Sequence, residues 1–135
     1  MAQKITPTDV MLAVYGSPHQ TELITTALRL TQALLDRGAR VQIWTCGDAT
    51  GLTRSTLGRT KPRNVLRWTT DYPSSASVIS DLLDEYPDLL HWYVCRFCSD
   101  ERGMSEQIPQ VRRRPPFTFW DHTKSAGKLL TLGVC

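Results

Sequence analysis

The sequence predicts a single α/β domain: a sheet of about five strands, mainly parallel, with helices on both faces. Three observations carry that prediction. Apolar runs of strand length alternate along the chain with stretches of helical periodicity. The length of 135 residues suits one domain, and a core of that size needs neither a metal nor disulfide staples. The first 45 residues read as a complete strand–helix–strand unit, for which a right-handed crossover is the rule.

The first strand is Val10-Met11-Leu12-Ala13-Val14-Tyr15. A continuous apolar run of this kind suits a strand buried on both faces of a parallel sheet. Gly16-Ser17-Pro18-His19-Gln20 follows. Ser17 is placed as a helix N-cap, Pro18 as the first helical residue and Gln20 as the partner in a capping box. Leu23/Ile24, Ala27/Leu28, Leu30/Thr31 and Leu34/Leu35 recur at helical spacing and make one broad apolar face. Gly38 is placed to end the helix in a left-handed conformation. Arg40 to Thr45 is the second strand. Residues 47–64 hold three glycines, a proline and five Ser or Thr, which predicts mostly loop, with room for a short helical turn. Val65 to Trp68 reads as a short strand. Ser74 to Tyr86 is a second helix, with Val78/Ile79, Leu82/Leu83 and Tyr86 on its buried face and Pro87 as its stop. Leu89 to Val94 is a strong strand leading into Cys95, a short helix follows from Arg96 to Arg102, and Gly103 ends it. Arg112-Arg113-Arg114 with Pro115-Pro116 reads as an exposed loop, and Leu129 to Val134 as the last strand.

Composition narrows the function. Sixteen Lys and Arg against 13 Asp and Glu give +3, too mild a charge to call for nucleic acid. The arginine triplet is accordingly read as a solvated loop or subunit contact rather than an RNA contact. No apolar run approaches the roughly 18 residues of a membrane helix, so no membrane partner is expected. Residues 1–9 lack an apolar signal core, so a cytoplasmic, reducing location is expected. Cys46, Cys95, Cys98 and Cys135 are then thiols rather than a disulfide framework.

Cys95 sits where a buried strand passes into a short helix. In open α/β sheets, ligands bind at the carboxyl ends of strands, and helix N-terminal N–H groups favour a thiolate. Arg96 and Arg102 add positive charge, opposed by Asp100 and Glu101. Cys95-Arg96-Phe97-Cys98 is also a Cys-x-x-Cys. It is compatible with a redox pair, with half of a zinc site, with two packed thiols, or with one nucleophile, Cys95, backed by an auxiliary Cys98. The last is preferred. The redox motif ordinarily sits near a first βαβ unit, and a structural zinc needs four ligands where Cys46, Cys135, His91 and His122 are isolated in sequence. No metal is assigned. Cys46 follows the second strand, at the same sheet edge as Cys95 if the sheet is parallel, and is a candidate to support Cys95 from behind, otherwise a packed thiol. His19, near another strand's end, is a candidate to orient a donor or carry a proton, otherwise an exposed helix-start residue. Gly103 is assigned to backbone geometry and Cys135 to an incidental tail.

Cys95 followed by six residues and then Arg102-Gly103, after an apolar strand, resembles the DsrE-type sulfur-relay family, which includes the TusD-like sulfurtransferases. Tyr15-Gly16-Ser17, the long helix ending at Arg37-Gly38, and Ser125-Ala126-Gly127-Lys128-Leu129-Leu130-Thr131-Leu132 are similar to the same family. The resemblance implies a small oligomeric α/β protein. It carries sulfane sulfur as a persulfide on Cys95 and passes it from a protein donor to a protein thiol acceptor, with no metal or organic cofactor. Cys98 departs from the family pattern. It can attack a Cys95 persulfide, releasing sulfide and leaving a disulfide. The alternatives are a non-catalytic oligomeric binding or regulatory module of the same fold, and a Cys95/Cys98 thiol redox protein.

Overall fold

A computed structural model describes residues 4–20, 22–63 and 65–133. Five strands form one sheet: β1 (Thr8–Tyr15), β2 (Val41–Thr45), β3 (Leu90–Cys95), β4 (Arg112–Arg114) and β5 (Ala126–Gly133). Their order is β4-β3-β2-β1-β5, and every neighbouring pair is parallel. The helices are α1 (Leu23–Asp36), α2 (Ser75–Glu85), α3 (Arg96–Glu101) and α4 (Phe119–Lys124).

The alternation of a pleated strand divides the core in two. Leu12, Val14, Ile43, Leu90, Trp92 and Val94 face one side, where they pack with Ala27 and Leu35 of α1 and with Ile79, Leu82 and Leu83 of α2. Met11, Trp44, Tyr93 and Cys95 face the other, against Phe119 of α4. Trp44 pairs in register with Ala13 on one side and Tyr93 on the other, so these positions form one row across the sheet. Helices on both faces therefore follow from central strands whose residues are mostly apolar on both sides, as expected.

Local chemistry sets several boundaries. Gly38 takes φ 77° at the end of α1, the left-handed residue that lets the chain leave a helix. Ser74 caps α2: its Oγ accepts from the Ser77 N–H at 3.1 Å and donates to the Gly58 carbonyl at 2.7 Å.

The structure corrects five expectations. Ser17 does not open the long helix. Ser17 Oγ donates to Asp48 Oδ2 at 2.8 Å, Pro18–Gln20 is a separate 3₁₀ turn, and α1 starts only at Leu23. Residues 47–64 are not mostly loop. Gly47–Thr53 is a 3₁₀ helix whose small residues, Ala49 to Thr53, are buried. Gly51 lies so close to Met104 that a Cβ there would sit 2.9 Å from its sulfur. Val65–Arg67 is a 3₁₀ turn, not a strand. It rides on a loop closed by the Arg63–Asp71 ion pair at 3.0 Å and the Thr60–Pro73 bridge, which leaves Val65 and Leu66 exposed. The arginine triplet is not loop but the edge strand β4, with Arg114 buried. The last strand begins at Ala126 rather than Leu129, because its pairing with β1 starts at Thr8. Cys135 lies outside the described residues.

Candidate functional site

Two parallel strands in register end side by side. Thr45 of β2 pairs with Val94 of β3, so the next residues, Cys46 and Cys95, emerge together at the carboxyl edge of the sheet. Cys95 then passes directly into α3. Cys98, about one helical turn on, is carried back over the same spot. Cys46 Sγ and Cys98 Sγ are 3.6 Å apart, and the sulfurs of Cys46, Cys95 and Cys98 all lie within 4.8 Å of one another. Among the described residues no His, Asp or Glu joins this group.

The three thiols differ in access and acidity. Cys95 is 1% exposed, whereas Cys46 and Cys98 are half-buried. Burial, reinforced by the neighbouring Cys95, pushes the Cys46 thiol up to about 12. It therefore stays protonated and donates to its neighbours. Burial also raises the Cys95 pKa, although the Cys98 N–H donates to its sulfur. Cys98 goes the other way. Burial alone would raise it, but the Gly47 N–H, thiol hydrogen bonds from Cys46 and Cys95, and the Arg102 charge together bring it below the ordinary thiol value. Cys98 is thus the sulfur that this environment favours as thiolate, and it is more accessible than Cys95, the thiol expected to be the nucleophile.

Arg102 is held in place by several groups. Its Nε donates to Asp48 Oδ1 at 2.8 Å, and its Nη1 reaches the Cys98 carbonyl at 3.4 Å and Glu101 at 3.2 Å. Asp48 in turn receives the Ser17 hydroxyl. The chain after β1, the chain after β2 and the end of α3 are thereby tied together around the thiols. Gly103, with φ 65°, turns the chain out of α3 as expected. Arg96 plays no part in this cluster. It is exposed and lines a separate open cleft of about 870 Å³ with Arg112, Arg113, Phe117 and Lys124. His19 is exposed on its 3₁₀ turn, outside the thiol group. Asp48 and Ser17 were missed as site residues because they join the site through Arg102, 54 positions from Asp48 in sequence. The signal for Cys46 was available: a cysteine follows each of two strands that a parallel sheet makes neighbours.

A scan against protein-family models finds no match, and no curated protein matches significantly. Solved structures do match. The chain shares its fold with the YchN protein from E. coli. The crystal structure of YchN superposes with a TM-score of 0.72 at 21% identity, over 92% of this chain and 98% of YchN. The likeness to YchN is therefore one of the whole domain, and at that identity it is a likeness of fold.

Proposed function

We propose that this chain is a DsrE-type sulfur carrier, a persulfide sulfurtransferase that relays sulfane sulfur through its thiol cluster to a protein thiol acceptor. The observation that carries the reading is the convergence of three thiols at the sheet edge, one of them favoured as thiolate. The YchN-like fold is consistent with it.

Cys98 makes the first attack. Its thiolate takes the outer sulfur of a donor persulfide R–S–SH, the S–S bond breaks, R–S⁻ leaves, and Cys98 becomes Cys–S–SH. Cys95, which hydrogen-bonds to Cys98, then takes the same sulfur. Its proton passes to the departing Cys98 sulfur, giving Cys98–SH and a Cys95 persulfide shielded by burial. Return to Cys98 and attack by an acceptor thiolate complete the relay. Arg102 supports the charge on Cys98. No organic cofactor enters any step. Phe97, 62% exposed between the two cysteines, offers a surface to donor and acceptor proteins. Three thiols this close stay reduced in a cytoplasmic setting.

Intact-protein mass spectrometry after incubation with a low-molecular-weight persulfide tests the reading. The wild type gains one sulfur atom, Cys98→Ser gains none, and Cys95→Ser loads but loses its sulfur faster to added thiol. A folded wild type that gains no sulfur overturns the proposal. A loss of two hydrogens that requires Cys46 and Cys98, the pair 3.6 Å apart, would instead make the chain a thiol redox protein.

The carrier acts as a homo-oligomer. β5 is an edge strand that leaves Leu129 and Leu130 exposed by 44% and 43%, and an apolar edge of this kind is ordinarily covered. Light scattering on an eluting sample is expected to give more than one copy, and Leu130→Lys to give the monomer. A monomeric wild type would refute this.

A further inference from the structure

We propose that Cys46, Cys95 and Cys98 form a three-coordinate binding site for the soft monovalent cation Cu(I). The site goes beyond the sulfur relay and does not depend on it. Its ligands come from residues 52 positions apart, so the Cys-x-x-Cys alone shows only two of them.

Geometry is the first argument. An ion about 2.3 Å from each of three sulfurs in one plane holds those sulfurs roughly 4 Å apart. The sulfurs here are 3.6 Å apart at one pair and within 4.8 Å throughout, so changes of under about 1 Å in their separations complete the triangle. Two ligands stand at the ends of adjacent strands, where the sheet fixes their separation. The third is fixed by the first turn of α3.

Donor chemistry is the second. Three sulfurs make a soft site, and no histidine or carboxylate supplies a fourth ligand among the described residues. A structural zinc ion wants four protein ligands. Cu(I), with a filled d shell and a preference for low coordination by thiolates, is satisfied by three.

Hydrogen bonding is the third. An N–H group beside each sulfur pulls toward its anion: the Trp44 indole at Cys46, the Cys98 backbone at Cys95 and the Gly47 backbone at Cys98. Such donors to ligand sulfurs stabilise the thiolate form and tune the metal. Arg102 offsets part of the charge. Binding converts three thiols and Cu⁺ into a tris-thiolate complex of charge −2 and releases three protons, with no change of oxidation state. Metal and persulfide occupy the same sulfurs and exclude each other.

The test is an anaerobic titration of the full chain with Cu(I) stabilised in acetonitrile, in competition with a chromophoric Cu(I) chelator. One Cu(I) per chain is expected, with three sulfurs at about 2.3 Å by X-ray absorption. Cys46→Ser is the decisive variant. It is expected to weaken binding more than about 100-fold, beyond the effect of losing an outer partner, while its circular-dichroism spectrum and urea midpoint show the chain still folded. Cys46→Ala serves the same purpose where serine disturbs folding, with a wild-type circular-dichroism spectrum and cooperative urea unfolding as the sign of an intact fold. Wild-type affinity no greater than that of both Cys46 variants overturns the site, as does a preference for Zn(II) over Cu(I). A wild type that loads sulfur without binding Cu(I) overturns the metal site alone. One that binds Cu(I) without loading sulfur upholds the site and overturns the carrier alone.

Discussion

Burial on its own raises the pKa of a thiol, and Cys98 escapes that fate only through what surrounds it. The Gly47 N–H, two neighbouring thiols and Arg102 all favour its anion. Arg102 is the contributor that can be removed without opening the core. Arg102→Gln is expected to slow alkylation of Cys98 at pH 7 by about threefold, the effect of one partly exposed charge. The pH profile of alkylation is expected to move upward as well. An unchanged profile would take Arg102 out of the account. At this scale the sequence was partly legible. Cys95, Cys46, Cys98 and Arg102 were all named, and all lie at one sheet edge. The order of their acidities was not readable, because it depends on which sulfur receives the Gly47 N–H and which lies 1% exposed. Arg96, one residue from Cys95, points to a different cleft, which sequence adjacency alone does not reveal.

The elements that sequence reading located well are those with long, regular patterns. The β1-α1-β2 unit carries a run of apolar strand residues and a helix of four turns, and it folds as expected apart from its capping. What stayed hidden is short. β4 has three residues, α4 has six, and neither is long enough to show a period. The buried 3₁₀ helix after β2 is made of small residues whose burial depends on Met104 and Gln107. Gln107 Nε2 donates to the Thr50 carbonyl at 2.9 Å and the Met104 carbonyl at 2.7 Å. α2 shows how a single residue ties such parts together. Ser74 both caps the helix and donates to the Gly58 carbonyl of the preceding loop. Ser74→Ala removes both bonds from a buried position and is expected to cost about 1–2 kcal/mol. Urea denaturation at constant m-value would measure it. A change below roughly 0.5 kcal/mol, the range of ordinary surface substitutions, would show that the cap is dispensable.

The stability of the whole molecule is tied to pH by a histidine for which the sequence suggested no role. His122 is completely buried. Its Nδ1 donates to Gln42 Oε1 at 3.1 Å, and its Nε2 accepts from Arg114 Nε at 3.4 Å. Gln42 Nε2 in turn donates to Thr8 Oγ1 and Ser125 Oγ, both at 2.8 Å. One network thus joins α4 to β1, β2 and β4, and its hydrogen-bonded partners are up to 83 residues apart, which is why no local pattern announced it. Burial first, and the Arg114 charge second, lower the His122 pKa to about 4 from its ordinary 6.5. The folded state therefore binds fewer protons than the unfolded state between those values. Its stabilising contribution is complete above pH 6.5 and is lost as pH falls toward 4. The loss amounts to roughly 3 kcal/mol at about 1.4 kcal/mol per unit. His91, also lowered by burial, acts in the same direction. Unfolding free energy measured by urea at steps from pH 7 to pH 4 is expected to fall by at least that amount in the wild type. In His122→Gln the fall is expected to be markedly shallower, from a lower starting stability. Parallel slopes in the two proteins would mean that the histidine does not couple this fold to pH, and that the loss of stability in acid comes from carboxylates at the surface.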